Sequence, residues 1–382
     1  MRILVFLSIL LISVVLLYPA LEVKNADKPL KGNWDFKPSL VWEIDRVGDE
    51  TFGRVNQILV NSKGVLYVNE SSKINYIIDE NGKFVKRFGR KGEGPGEIVN
   101  QKDSFLLKDR VVIADQGKLH FFTMDGEYIE SVMNNYGKLP PMVFINESEF
   151  ISAPYKPAFG TDQTIGQVSR INLKSGQETN ITEFRIFQGG FARMGDRRVI
   201  WIVFELIPRM ILGYDNNRIY YGLNDTYKIN VADLSGKLLY TFSVDREKKR
   251  ITPKEKKDLF KGSLKLPQDV VKALINSHPD ELTYFTNIEI HNGFIYVFLA
   301  DLGHPNQKEI DIFSMDGKYQ YRSCIRFDKS LSIHGVYTIS GNNILIEKDN
   351  LYIVLERYNI ILCMVKKPLN ELNLKKEVVA YA

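Results

Sequence analysis

The chain has 382 residues, of which 44% are hydrophobic and 25% are charged, and this composition excludes a disordered or fibrous protein. Its formal net charge of +5 is small for the length, so the overall charge indicates no nucleic-acid partner. The two cysteines, Cys324 and Cys363, exclude a disulfide framework and are compatible with buried thiols or with a single disulfide.

The first segment of the chain carries an export signal. A basic N-terminus precedes an apolar run from Ile3 to Leu17, which is typical of a signal peptide. Counted on to Leu21, the run approaches the roughly 20 residues that cross a bilayer as a helix. Ala20 could precede a cleavage site, but Tyr18 stands where a small residue is preferred. We therefore expect an exported protein, periplasmic or extracellular, whose residues 1–21 are either removed or kept as a membrane anchor.

One pattern of strands and turns recurs along the rest of the chain. A short apolar strand, an acidic or polar turn, a second strand, a glycine turn and a third strand follow one another, beginning at Leu66, Val111, Ile219 and Ile295. The glycine turns fall at Gly82, Gly126, Gly176, Gly236 and Gly317. Repeated small antiparallel sheets predict an all-β fold, a β-propeller.

The ends of the chain predict how the propeller closes. Five glycine turns indicate five complete blades, and the final stretch supplies only three more strands, at Ile344–Glu347, Leu351–Arg357 and Ile360–Lys366. A lone strand at Ser39–Asp45 can complete this last blade, which gives six blades and leaves no open sheet edge between the chain ends. The predicted propeller spans residues 38–367, with a linker at 22–37 and a C-terminal tail at 368–382.

Two segments interrupt this pattern. The apolar stretch Arg198–Leu212 is interpreted as the inner strands of blade four, with an extra hairpin as the alternative. Residues 251–277 form a helical insertion between blades four and five. Its first helix starts at Thr252, with proline at the first helical position and Glu255 completing a capping box. A second short helix is predicted at Pro267–Asn276.

Acidic residues recur where the second strand of a blade ends. Equivalent positions in a propeller lie at equal radius, so these carboxylates are predicted to form a partial ring that could hold Ca²⁺ or another hard cation. The alternative is that each carboxylate accepts backbone N–H groups in its own tight turn. The residues are Glu70, Asp115, Glu205, Asp301 and Glu356.

Two further segments are candidate binding surfaces. The glycine-rich connector Phe88–Glu97 lacks the lysine and serine or threonine that end a phosphate-binding loop, so we interpret it as a tight crossing between blades one and two. Arg90 and Lys91 could still present positive charge there. Residues 246–265 carry nine basic and three acidic side chains, which could meet an anionic surface or could simply be a solvated helix face.

Three segments of the chain resemble the exported six-bladed β-propeller family of bacteria, relatives of NHL-repeat proteins. They are Val111–Gly126, the connector Phe88–Glu97, and YKINVADLSGKLL before the helical insertion. The resemblance implies the fold and export, and it implies no established reaction.

The sequence shows no zinc motif and no nucleophile elbow, and its five histidines form no metal-binding pair. We therefore expect a monomeric scaffold, without a cofactor, that binds a protein, a small molecule or a glycan. The alternative is a metal-dependent hydrolase or lyase with a cation held in the central funnel by carboxylates such as Asp115 and Asp301.

Overall fold

The computed structural model describes residues 21–365 except 37–39, 45, 48–49, 52–54, 71–73, 116, 134–140, 158–162, 188–190, 195–196, 201–202, 204, 261–265, 302–306, 327–331, 334–343, 348–349, 354 and 357–361. The predicted signal segment and tail therefore lie outside the described residues, apart from Leu21. Within the described part of the chain, no helix is long and apolar enough to cross a membrane.

Five antiparallel sheets follow one another along the chain, and in four of them each strand pairs with the next. The strands of blade one are Val55–Val60, Leu66–Glu70, Asn75–Ile78 and Phe84–Phe88. Those of blade two are Asp103–Leu106, Arg110–Asp115, Lys118–Thr123 and Tyr128–Met133. Blade three has Met142–Asn146, Glu149–Ser152, Gln163–Asn172 and Glu178–Phe187, with Tyr155–Pro157 added beside its third strand.

Blades four and five repeat the same order. Blade four is built from Met210–Asp215, Arg218–Leu223, Lys228–Asp233 and Leu238–Asp245. Blade five is built from Phe285–His291, Phe294–Leu299, Gln307–Ser314 and Tyr319–Arg326. Apolar side chains of neighbouring blades form shared clusters, such as the one that joins Phe242 of blade four to Phe313 of blade five. Strands covered on both faces in this way need apolar residues at successive positions, which explains the weak alternation of the sequence.

The closure of the ring follows the prediction from the chain ends. Leu40–Ile44 pairs antiparallel with Leu362–Val365, in a register that places Ile44 opposite Leu362. Ile344–Glu347 pairs with Asn350–Ile353, and Asn350–Ile353 lies beside Leu362–Val365, at the place predicted for a sixth blade. Two short pairs flank this region, Arg46–Val47 with Glu50–Thr51 and Ser332–Ile333 with Leu355–Glu356.

The glycine turns lie where one blade meets the next. Gly82, Gly126, Gly236 and Gly317 all have positive φ, between 77° and 88°. A Cβ atom on Gly126 would come within 2.7 Å of Phe88 in the fourth strand of blade one, and one on Gly317 would come equally close to Phe242. Gly82 meets Trp42 of the closing strand in the same way. The recurring glycine therefore serves both the turn and the contact with the preceding blade.

The segment before blade four differs from the interpretation as inner strands. Phe191–Met194 and Arg197–Ile200 form a separate hairpin in the connector from blade three, and blade four begins only at Met210. Pro208 lacks an amide hydrogen for a sheet ladder. Val203 and Leu206 pack beneath the helical insertion instead. The extra hairpin thus exists without changing the number of blades.

The helical insertion is confirmed between blades four and five. Its helices are Pro253–Asp258 and Gln268–Ser277, and the first has the predicted capping box between Thr252 and Glu255. Val270 and Leu274 of the second helix are buried against Phe260, so the insertion has a small apolar core of its own.

The segment 22–37, expected to be a linker, is instead built into the propeller. Leu21–Ala26 pairs in parallel with the fourth strand of blade four, and Asn33–Phe36 pairs in parallel with the fourth strand of blade five. We call residues 21–36 the N-terminal strap. The Asn25 side chain donates to the carbonyl oxygens of Ser243 and Gly317, so a single strap residue bonds to both blades.

A buried ionic network lies beneath the strap. Asp311 of blade five is fully buried and accepts hydrogen bonds from the hydroxyls of Tyr227 and Tyr319. The Arg246 guanidinium lies 2.7 Å from Asp311 and 2.7 Å from Asp27 of the strap. Arg322 also pairs with both carboxylates. Burial and the neighbouring Asp311 carboxylate raise the pKa of Tyr227 well above its usual value.

Candidate functional site

The connectors between blades share one face of the propeller with the turns that follow the second strands. In an antiparallel blade the second and fourth strands end at the same edge, so both kinds of loop emerge there. We call this the connector face. Two contacts confirm the placement: Asp115 binds the connector from blade one to two, and Asp301 binds the one from blade four to five.

The glycine-rich connector is closed by its own glutamate. The Gly94 N–H donates to Glu97 Oε2 at 2.9 Å, and Arg90 Nε donates to Glu97 Oε1 at 2.6 Å. The Gly94 amide, with help from Arg90, lowers the pKa of Glu97. Arg90–Lys91 pairs in parallel with Glu97–Ile98. The loop therefore resembles an anion-binding nest whose anion is supplied by the chain itself, and it makes the predicted tight crossing.

Asp115 binds the backbone of this connector. The Val99 N–H lies 2.7 Å from Asp115 Oδ2, and the Asn100 N–H lies 2.5 Å from Asp115 Oδ1. Both carboxylate oxygens of this buried residue thus accept amide hydrogens. The arrangement matches the structural alternative for the carboxylates, except that the amides belong to the interblade connector and not to the residue's own turn.

A serine, a histidine and an aspartate line up within blade two. Ser131 Oγ lies 2.8 Å from His120 Nδ1, and His120 Nε2 lies 3.5 Å from Asp115 Oδ2. In a catalytic triad the serine faces Nε2 and the aspartate faces Nδ1, so the ring is reversed here. Ser131 also bonds to the Tyr128 hydroxyl, on an outer strand. We interpret these three side chains as a link between the outer strand of blade two and the connector from blade one.

His120 makes the stability of this blade depend on pH. Burial lowers the pKa of His120, although the Asp115 carboxylate opposes the shift. Below the unfolded pKa of about 6.5 the folded state therefore binds fewer protons than the unfolded chain, and the free energy of unfolding falls as the pH falls. We expect urea unfolding to give a smaller free energy at about pH 5 than at about pH 7. In the His120→Gln variant the free energy of unfolding should differ less between the two pH values. A variant with the same pH dependence as the wild type would contradict this role of His120.

Glu205 and Asp301 surround a lysine that the sequence did not single out. Burial lowers the pKa of half-buried Lys308, while the Glu205 and Asp301 carboxylates act to raise it. Lys308 Nζ lies 3.3 Å from the Thr286 hydroxyl, and Arg209 donates to the Thr286 carbonyl oxygen. This cluster lies where blades four and five meet. Its signal in the sequence was weak, because Lys308 stands in an ordinary amphipathic strand.

The predicted ring of carboxylates is not formed as expected, because Glu205 does not end the second strand of blade four. Glu205 lies in a turn before blade four, and the second strand of that blade ends at Leu223. Glu70 ends the second strand of blade one as predicted, whereas Glu356 belongs to the short pair with Ser332. Within the described residues, no group of three or more His, Cys, Asp or Glu side chains could hold a metal ion.

Several basic residues of the segment 246–265 pair with carboxylates. Arg246 belongs to the buried network, and Lys249 lies 2.9 Å from Asp301. Arg250 pairs with Glu281, and Lys256 pairs with Asp280. Four of the seven basic side chains that the structure describes in this segment are thus paired with carboxylates, which reduces the charge available to an external anion.

A cavity of about 310 Å³ opens on the connector face beside the insertion. Leu206 and Pro208 line it from the connector before blade four, and Lys248, Arg250 and residues 279–283 line it from the connector before blade five. Lys248 Nζ lies 5.8 Å from the centre of the Tyr284 ring. Burial raises the pKa of nearby Asp225, against the positive charge of Lys248. The cavity therefore combines apolar walls with a few charged groups, as small-molecule sites do.

Comparison with known proteins agrees with the architecture. Residues 48–136, which include blades one and two, match the model of a family described as a 6-bladed beta-propeller, DUF5128. The protein is a β-propeller. The kinship with NHL-repeat proteins stays a resemblance, and no curated protein sequence matches the chain.

Solved structures of similar outline include a Bacteroides fragilis protein provisionally named an exported protein. It is 15% identical, with 79% of each chain covered and a TM-score of 0.46. A member of the DUF4221 family from Bacteroides vulgatus is 11% identical, with 87% of this propeller and 96% of that chain covered, at a TM-score of 0.45. BamB from Moraxella catarrhalis is 8% identical, with 81% and 82% covered, at a TM-score of 0.36. These low scores carry no conclusion about function.

Proposed function

We propose that this propeller is an exported binding protein whose connector face holds a small ligand in the cavity beside the helical insertion. The single observation that supports this is the origin of the cavity walls. They come from two connectors, neither of which is needed to close the ring. The export part of the proposal rests on the N-terminal apolar run.

The chemistry of the cavity favours a ligand with both polar and apolar groups. Leu206 and Leu282 belong to the apolar cluster beneath the helices, so their positions are fixed by packing. Thr283 is fixed as well, because its amide and hydroxyl both donate to the Glu205 carbonyl oxygen. Lys248, in contrast, is half-buried beside an aromatic ring and can turn toward a ligand. A rigid wall with an adaptable lysine beside the Arg250–Glu281 ion pair suits selective binding.

The candidate ligands are soluble di- and trisaccharides and amino-acid derivatives, tested in a thermal-shift screen. We expect the binding affinity of every hit to depend on Lys248. The Lys248→Ala variant removes the adaptable charge and should weaken binding of such ligands about tenfold, the loss expected for a hydrogen bond to a charged group. Calorimetric titration of each hit against the wild type and the variant measures the change.

The matched control is Lys254→Ala, which removes an exposed lysine from the first helix outside the cavity. This variant should bind every hit as the wild type does. Hits that are indifferent to Lys248→Ala, or equally sensitive to Lys254→Ala, would place the binding site elsewhere.

A further inference from the structure

The N-terminal strap carries an exposed patch of unusual composition. Leu30 is 70% exposed, although its amide donates to the Tyr319 carbonyl oxygen and holds it on blade five. Lys31 Nζ lies 5.7 Å from the centre of the Tyr321 ring, and the Trp34 ring lies 5.6 Å from the same ring. We call Lys28, Leu30, Lys31, Trp34 and Tyr321 the strap patch.

These residue types are those that collect at the surface of a bilayer. Tryptophan and tyrosine place an apolar ring among the headgroups and keep a polar edge in water. An exposed leucine adds apolar area that gains by leaving water. Lysine extends its apolar stem along such a surface while its ammonium group meets the headgroups.

The charge of the strap patch favours an anionic surface. Lys28 and Lys31 are both exposed, and the one acidic side chain between the two strap strands, Asp27, is bound by Arg246 and Arg322. The Asp27 carboxylate is therefore neutralised by arginines of the propeller, whereas Lys28 and Lys31 stay at the surface. Each lysine near an anionic bilayer adds an attraction that salt can screen.

The position of the patch along the chain places it close to any membrane that holds the N-terminus. The apolar run begins at Ile3, and the first strap strand begins at Leu21, which is itself 66% exposed. The strap strand has six residues and is about 20 Å long at the usual rise per residue. In the sequence, the apolar run thus leads into the first strap strand, and the strap patch follows that strand.

We propose that the outer edge of blades four and five lies on an anionic bilayer through the strap patch. This surface is distinct from the segment 246–265, with which the strap patch shares no residue. The proposal does not depend on the ligand site, because the patch and the cavity share no residue.

The test measures quenching of Trp34 by lipid. The full chain is mixed with vesicles of phosphatidylethanolamine and phosphatidylglycerol whose acyl chains are brominated near the headgroup, and flotation reports binding. The emission of the Trp34→Phe variant is subtracted from that of the wild type, and the difference is the emission of Trp34. We expect this emission to fall about twofold on binding, because a ring at the headgroup level contacts the bromines.

The double variant Lys28→Gln with Leu30→Asp should lose this quenching. Val85→Asp is the matched control, since it changes another exposed apolar residue, on the outer strand of blade one, and it should leave the quenching intact. A chain that floats with unquenched Trp34 is held by its N-terminal segment alone and overturns the proposal. A chain that does not float, or a double variant quenched like the wild type, overturns it as well.

Discussion

Replacing Asp311 with asparagine should lower the free energy of unfolding by about 3–5 kcal/mol, the cost of removing one partner from a buried ion pair. The side chain is fully buried, and it is the acceptor for Tyr227, Tyr319, Arg246 and Arg322. An asparagine has nearly the same size but no charge. The two guanidinium groups would then share only Asp27, which is partly exposed.

Asp316→Asn is the matched control for this experiment, because it removes an acid from an ion pair in the same blade. Asp316 pairs with Lys318 at 2.7 Å, but both side chains are more than half exposed. Solvent screens such a pair, so the loss should stay within about 1 kcal/mol. Urea unfolding followed by circular dichroism measures both variants, and equal losses would show that burial of Asp311 is not what makes it important.

Gly126→Ala should cost about 3 kcal/mol of unfolding free energy, from two sources that add. The positive φ of 77° disfavours any residue with a Cβ, by about 1–2 kcal/mol. The new methyl group would also stand 2.7 Å from Phe88 Cβ, in a contact that only movement of the two blades can relieve. Overpacking of this kind costs about 1–3 kcal/mol.

The chain supplies a control in which only the first source acts. Gly176 has a φ of 68°, and a Cβ built there meets nothing within 4 Å. Gly176→Ala should therefore cost about 1–2 kcal/mol, from the backbone alone. Thermal and urea unfolding of the two variants give the difference, and a Gly126→Ala variant no less stable than Gly176→Ala would refute the role of this glycine in packing blade one against blade two.

The pattern of glycine turns and the closure of the ring could be predicted because they depend on local signals. A glycine turn between two short strands identifies a blade wherever it occurs, and the number of strands left over at the ends requires them to pair. The strap could not be found in this way. Its strands are short and polar, and they are fixed by Ser243, Gly317 and Arg322, which lie more than 200 residues away in the sequence.

The candidate site was predicted only in part, for a related reason. Asp115 and Asp301 do lie on the connector face, because their place at the end of a second strand is a local property. The predicted position of Glu205 was wrong, because the apolar stretch around it has the composition of a strand. Pro208 and the packing beneath the helices exclude this stretch from the blade. Lys308 and the cavity depend on how two connectors meet, which no single segment of sequence records.

The strap also determines when folding can finish. Its two strands are synthesised first, yet the edges that receive them, Leu238–Asp245 and Tyr319–Arg326, are synthesised more than 200 residues later. Until then, the earliest part of the chain has unsatisfied strand hydrogen bonds, and pairing over such separations is slow. A chain of this design must be kept from aggregating until blades four and five exist, so its yield should depend on chaperones more than that of a propeller whose strands pair only with their neighbours.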